Sequence, residues 1–131
     1  MRIQQLSVFL ENRAGQLCEV TELLAQNHVD MQALNIAETT DYGVLRLIVD
    51  APQKAESLLK EHGFIVRETE VVLAPVPDKP GGLNTVLRAI ADADIDIEYM
   101  YSMMGEQNGL ANMVFRVNDL EKLEKVIQTL K

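Results

Sequence analysis

A chain of 131 residues has room for one ordinary domain or for two very small ones. With 47% hydrophobic and 24% charged residues it has the composition of a folded globular protein, which argues against disorder. Twenty acidic residues outweigh twelve basic ones, for a formal charge of −8 with no Lys/Arg cluster, so nucleic acid and anionic membrane surfaces are not expected partners.

In chain order, residues 2–10 alternate Ile3, Leu6, Val8 and Leu10 with polar neighbours, a strand pattern. A turn holding Asn12 and Gly15 follows, then Leu17, Val20, Leu23 and Leu24 at helical spacing up to Asn27-His28, with Asn12 as the expected helix cap. Residues 30–39 and 43–50 read as a hairpin turning near Asp41 and Gly43. Pro52 opens a second helix with Ala55, Leu58 and Leu59 on one face, closed by Gly63. Residues 64–76 are extended, and the polar run Arg67-Glu68-Thr69-Glu70 interrupts their apolar phase, so a bend or bulge is expected near 67–70. Helix 82–93, strands 96–104 and 109–117, and helix 119–130 complete the series. Asp78 is its expected cap, with Pro80 in the first turn.

The second half repeats the first. Asn12-Arg13-Ala14-Gly15-Gln16-Leu17 recurs 66 residues later as Asp78-Lys79-Pro80-Gly81-Gly82-Leu83, and Val20, Leu24, Val29 and Asp30 keep step with Val86, Ile90, Ile95 and Asp96. After Gly43 and Gly109 a shift of 68 fits better, aligning Val49 with Val117 and Asp50 with Asn118. Strand, helix, hairpin, helix, strand is the ferredoxin-like βαββαβ order, an α+β module with both helices on one face of an antiparallel sheet. We therefore expect two modules, 1–69 and 70–131, each marginal alone at this size. On the later shift Lys131 matches Gly63, so the second module lacks its last strand, and a neighbouring copy or a partner chain is the expected source of pairing for the open edge. Strand 97–104 carries Ile97, Tyr99, Tyr101 and Met103 on one face and Met100 and Met104 on the other, which suggests an oligomer core or a pocket for an apolar side chain.

The segment Glu11-Asn12-Arg13-Ala14-Gly15-Gln16-Leu17, a strand end running into a helix, resembles the signature loop of ACT domains, and Val29-Asp30-Met31 and Gly43 stand where that family places them. The resemblance covers nearly the whole chain, twice over, and is closest to stand-alone tandem ACT proteins. It implies a regulatory protein, not an enzyme, that binds a free amino acid or similar small effector between paired modules. It also implies a homodimer or higher homo-oligomer, or a subunit docked on an enzyme of amino-acid metabolism. The family's contacts carry over to Asn12, Ala14, Gly15, Leu17, Asp30 and Met31 in the first copy, and to Asp78, Pro80, Gly81, Leu83, Asp96 and Ile97 in the second. Asp78 replaces the family's Asn and Ala14 its frequent Pro, so the two sites need not be equivalent.

The chemistry suits a zwitterion. Amides at a helix N-terminus favour a carboxylate, Gly15 or Gly81 permits close approach, and Asp30 or Asp96 suits an ammonium. All of these residues also serve as ordinary caps and turns, and that plainer reading stands beside the functional one. Asp92, Asp94, Asp96 and Glu98 lack the Gly and Glu spacing of a calcium loop, and His28, His62 and Cys18 form no catalytic set. No cofactor or metal is implied. Val71 to Val76 is too short to cross a bilayer, the N-terminal residues show no signal-peptide pattern, and the one cysteine forms no internal disulfide, so the expected compartment is the cytoplasm. A ligand-independent interaction subunit is the alternative function.

Overall fold

The structure is a computed structural model, and it describes residues 1–11, 13–38, 42–105 and 108–130. Asn12, Asp41 and Lys131, all named above, lie outside those residues. The chain separates into two compact units, one of Gln4–Thr69 and one of Met1–Ile3 with Glu70 onward.

In the N-terminal unit the elements are β1 (Arg2–Glu11), α1 (Gln16–Gln26), β2 (Met31–Glu38), β3 (Tyr42–Val49), α2 (Pro52–Glu61) and the start of β4 (Ile65–Pro77), with strand neighbours β2-β3-β1-β4. Alternation puts Leu6, Val8 and Leu10 of β1 on one sheet face, opposite Leu47, Leu45 and Gly43 of antiparallel β3. That face meets Val20 and Leu24 of α1 and Ala55 and Leu59 of α2, all buried in one core. Each such Val or Leu contributes about 1.5–3 kcal/mol by leaving water. Helix α1 ends with His28 in the left-handed region, φ 58°, while Val29 N–H donates to Leu24 O at 2.9 Å.

The C-terminal unit repeats the plan with the rest of β4, α3 (Gly82–Asp92), β5 (Ile97–Ser102), β6 (Leu110–Val117) and α4 (Leu120–Thr129), with neighbours β4-β6-β5. Val72, Ala74 and Val76 form its core with Val86, Ile90, Phe115, Leu123 and Ile127. Asp94 repeats the left-handed helix end of His28, with the same φ of 58°.

Three expectations need correction. First, β4 runs unbroken through 67–70. Val66, Val72, Ala74 and Val76 share one parity, and the phase only seems to shift because Val71 and Leu73, on the other parity, are apolar too. Second, the register breaks elsewhere, between Met31 and Ala33 and again between Ile97 and Tyr99. Gln32 and Glu98 are the extra residues of two equivalent bulges. Past the bulge the parity of β5 reverses, so Ile97 and Met100 both pack on the helix-side core while Tyr101 pairs with Val114 on the other face. The grouping of Ile97 with Tyr99 and Tyr101 therefore does not hold.

Third, the vacant strand position of the second copy is taken by the chain's own first residues. Leu73 N–H donates to Met1 O at 2.8 Å, and the Met1 ammonium donates to Leu73 O at 3.3 Å. Arg2 adds ion pairs to Glu124 at 2.8 Å and Glu70 at 3.7 Å, and the Glu124 hydrogen bond raises its already high pKa. Removing residues 1–3 should lower unfolding stability in urea by about 1–2 kcal/mol, from two backbone bonds worth roughly 1 kcal/mol each. An unchanged midpoint would show that this pairing carries no weight.

Candidate functional site

Each copy carries an elbow where a strand turns directly into a helix. Gly15 sits at φ 86° and Gly81 at φ 83°, both left-handed and both immediately ahead of the helix, with no side-chain cap. The first helical bonds follow from them, Glu19 N–H to Gly15 O at 3.0 Å and Thr85 N–H to Gly81 O at 3.1 Å. The helix cap is thus Gly81 and not Asp78, and Pro80 precedes the helix instead of lying in its first turn. The elbow requires a residue at positive φ, which glycine adopts without Cβ strain. The backbone N–H of Asp78 donates to Gly109 O at 2.8 Å.

The elbows differ where the backbone leaves the strand. In the first, Gln16 is buried and its Oε1 accepts a hydrogen bond from Glu11 N–H. In the second the equivalent residues are Pro77, which has no N–H, and Gly82, which has no side chain. A Cβ at Gly82 would lie 1.9 Å from Pro77 O, so strand end and helix start are in direct backbone contact there. The first elbow satisfies a donor with a side chain, and the second removes the donor and closes the gap.

Beside the first elbow lies a groove of about 590 Å³, a size that suits small-molecule sites. Glu11, Arg13, Gln16 and Glu19 line it from the β1–α1 turn. Phe9 and Tyr42 come from the sheet, and His62, Gly63, Phe64, Ile65 and Arg67 come from the end of α2 and the start of β4. Antiparallel folding brings these segments together: α2 ends where β1 ends, so residues 9–19 meet residues 62–67. Arg13 is shared between Glu11 at 3.3 Å and Glu19 at 3.4 Å, which leaves one carboxylate charge in excess at that end. The Arg67 guanidinium lies 5.8 Å from the Phe9 ring centroid, a cation–π distance, and makes no ion pair among the described residues. His62 Nδ1 is 2.9 Å from Leu58 O, which orients the ring.

The model of the family described as an ACT domain pair matches residues 1–131. The chain belongs to that family. Its fold matches the crystal structure of protein BT0572 from Bacteroides thetaiotaomicron, 43% identical over 99% of this chain and 89% of that one, with a TM-score of 0.91. More distant is the ligand-free regulatory subunit of aspartate kinase from Thermus thermophilus, 15% identical over 97% of this chain and 89% of that one, TM-score 0.68. The corresponding subunit from Thermus flavus is 11% identical over 98% and 94%, TM-score 0.62. At these identities the two subunits show a shared fold. No curated protein matches the sequence. ACT domains are regulatory modules for small effectors, and this chain consists of a pair of them.

In this ACT pair Ala14, Gly15 and the half-buried Leu17 stand on the first elbow, and Asp78, Pro80, Gly81 and the exposed Leu83 on the second. Asn12 is outside the described residues. Asp30 and Met31 lie at the far end of α1 from Gly15, an 11-residue helix about 16 Å long, so they do not join the first elbow within their own unit. Asp96 and Ile97 stand likewise to Gly81. Backbone pairs hold both aspartates: Asp30 N–H donates to Asp50 Oδ1 at 3.0 Å and Asp96 N–H to Asn118 Oδ1 at 3.1 Å. Among the described residues no three His, Cys, Asp or Glu side chains are grouped to hold a metal ion, and no helix is long and apolar enough to cross a membrane. Sequence reasoning missed Phe9, Gln16, Arg67 and the groove role of His62. The one available signal was the pairing of Glu11 and Gln16 against Pro77 and Gly82 in the two copies.

Replacing Gln16 with Gly should destabilise the protein by about 1–3 kcal/mol, because Glu11 N–H is left without its acceptor. Adding Glu11→Pro, the second copy's solution, should recover part of that loss in a double-mutant cycle of denaturant midpoints. Strict additivity would show that the two positions are not coupled.

Proposed function

We propose that this ACT domain pair is a cytoplasmic regulatory protein that senses a free amino acid and passes the signal to an enzyme of amino-acid metabolism. The observation that carries this reading is the groove at the first elbow. It combines an α-helix start, whose backbone amides favour a carboxylate, with an acidic excess at Glu11–Arg13–Glu19 that suits an ammonium. The close Pro77–Gly82 approach supports a structural part for the second elbow, and one ligand per chain is the expected stoichiometry. Bound ligand would bridge the β1–α1 turn and the α2–β4 junction and favour the conformation in which they are close.

A second reading rests on β2, the outer strand of its unit, where Leu34 and Ile36 are 41% and 46% exposed. An edge with unpaired backbone and exposed apolar side chains is a place for a second copy or a partner chain to add a strand. Ile36→Lys should then shift the mass in solution toward the monomer. An unshifted mass would remove β2 from the account.

Melting the protein with each of the twenty amino acids tests the sensor reading. At least one should raise stability, by about 2.7 kcal/mol at a hundred times its Kd. Twenty unmoved midpoints would contradict the proposal.

A further inference from the structure

Val8 and Leu10 of β1 point into the helix-side core, so Phe9 and Glu11 project from the opposite face of the sheet, paired with Val44 and Tyr42 of β3. Val66 of β4 belongs to the same core, so its neighbours Ile65 and Arg67 share that opposite face. Both helices of the unit pack on the core side and leave this end of the face open. Tyr42 is 44% and Ile65 66% exposed, with Phe9 and Val44 half-buried on the same face. Large apolar groups left singly in solvent are ordinary, but several gathered on one sheet face are an interaction surface. Opposite charges flank it. The Arg67 guanidinium lies 5.8 Å from the Phe9 ring centroid and makes no ion pair among the described residues. Glu11 lies two residues beyond Phe9, ~7 Å along the strand. Its side chain is 79% exposed, and it shares Arg13 with Glu19.

We propose that this face, built from Phe9, Tyr42, Ile65 and Arg67 with Glu11 at its end, docks a second copy of the chain about a two-fold axis. Under such an axis residue i of one copy meets residue j of the other, and j meets i. Arg67 of each copy then faces the partner subunit's Glu11, with the two Phe9 rings near the axis. The charges decide the occupant. A partner of a single sign would satisfy one end and leave the other charge desolvated and unpaired, which is costly. A copy of the same face supplies both counter-charges in one geometry. Sheet faces pack about 10 Å apart, a gap that the side chains of both fill by interdigitating. The second unit carries no such set, because Phe9 and Glu11 match Pro75 and Pro77 at the 66-residue shift. Association therefore closes at two copies instead of continuing into a filament. The same residues form one wall of the groove, but the proposal concerns the ligand-free chain and stands apart from the sensor reading and from strand addition at β2.

Sedimentation equilibrium of the full chain, free of amino acids and over a wide range of concentration, tests it. The native protein is compared with Arg67→Glu, Glu11→Arg and the variant carrying both changes. The native chain should approach twice its monomer mass as concentration rises. Each single reversal sets like charges opposite one another and should weaken association by about tenfold or more. The double variant restores opposite charges across the axis and should recover most of that loss. Both side chains are exposed, so unaltered melts verify that the variants fold. A native chain that stays monomeric throughout, single reversals that associate like the native protein, or a double variant no better than the singles would overturn the proposal. A mass that responds to Ile36→Lys and to neither reversal would overturn it too, and would place the second copy on the edge of β2.

Discussion

A strand that turns straight into a helix strands a backbone N–H at the turn, and the two copies dispose of that donor in opposite ways. The first copy keeps the donor on Glu11 and brings Gln16 back to accept it, which holds the elbow open around a polar side chain. The second copy has Pro77 at that point and closes Gly82 onto it. The left-handed glycine is common to both, φ 86° and φ 83°, so the backbone path is conserved while its chemistry is not. The same turn is a potential site in one unit and a packed joint in the other.

Duplication imposed a second constraint. One strand of 13 residues, β4, ends the first copy and begins the second, and its polar stretch at Glu68 and Glu70 lies between Val66 of one core and Val72 of the other. Met1–Ile3 group with the second unit, where Met1 pairs with Leu73 of β4. The first residues of the chain thus belong with its second half.

Much of this was legible in the sequence, because periodicity and repetition report local structure. The shift of 66 aligned the glycines, the helix stripes and both left-handed helix ends, and element boundaries fell within one or two residues of the structure. What was not legible depended on long-range geometry. The bulges at Gln32 and Glu98 exist only as a register against β3 and β6, and no residue type announces them. Arg67 read as part of a polar interruption until the antiparallel pairing of β1 and β4 set it over Phe9. Asp30 and Asp96 were legible as residues but not as locations, since only the length of the intervening helix shows how far they stand from the elbows.

We propose that the two elbows are inequivalent, the first open to a small zwitterion beside its groove and the second closed by the Pro77–Gly82 approach. Amide chemical-shift mapping of the isotope-labelled chain, titrated with the amino acid that stabilises it best, addresses this residue by residue. The account predicts perturbations at Arg13, Gln16, Gly63 and Arg67, with the amides of Lys79 to Leu83 unmoved. Perturbations centred on Gly81 and Gly82, or of equal size at both elbows, would contradict it.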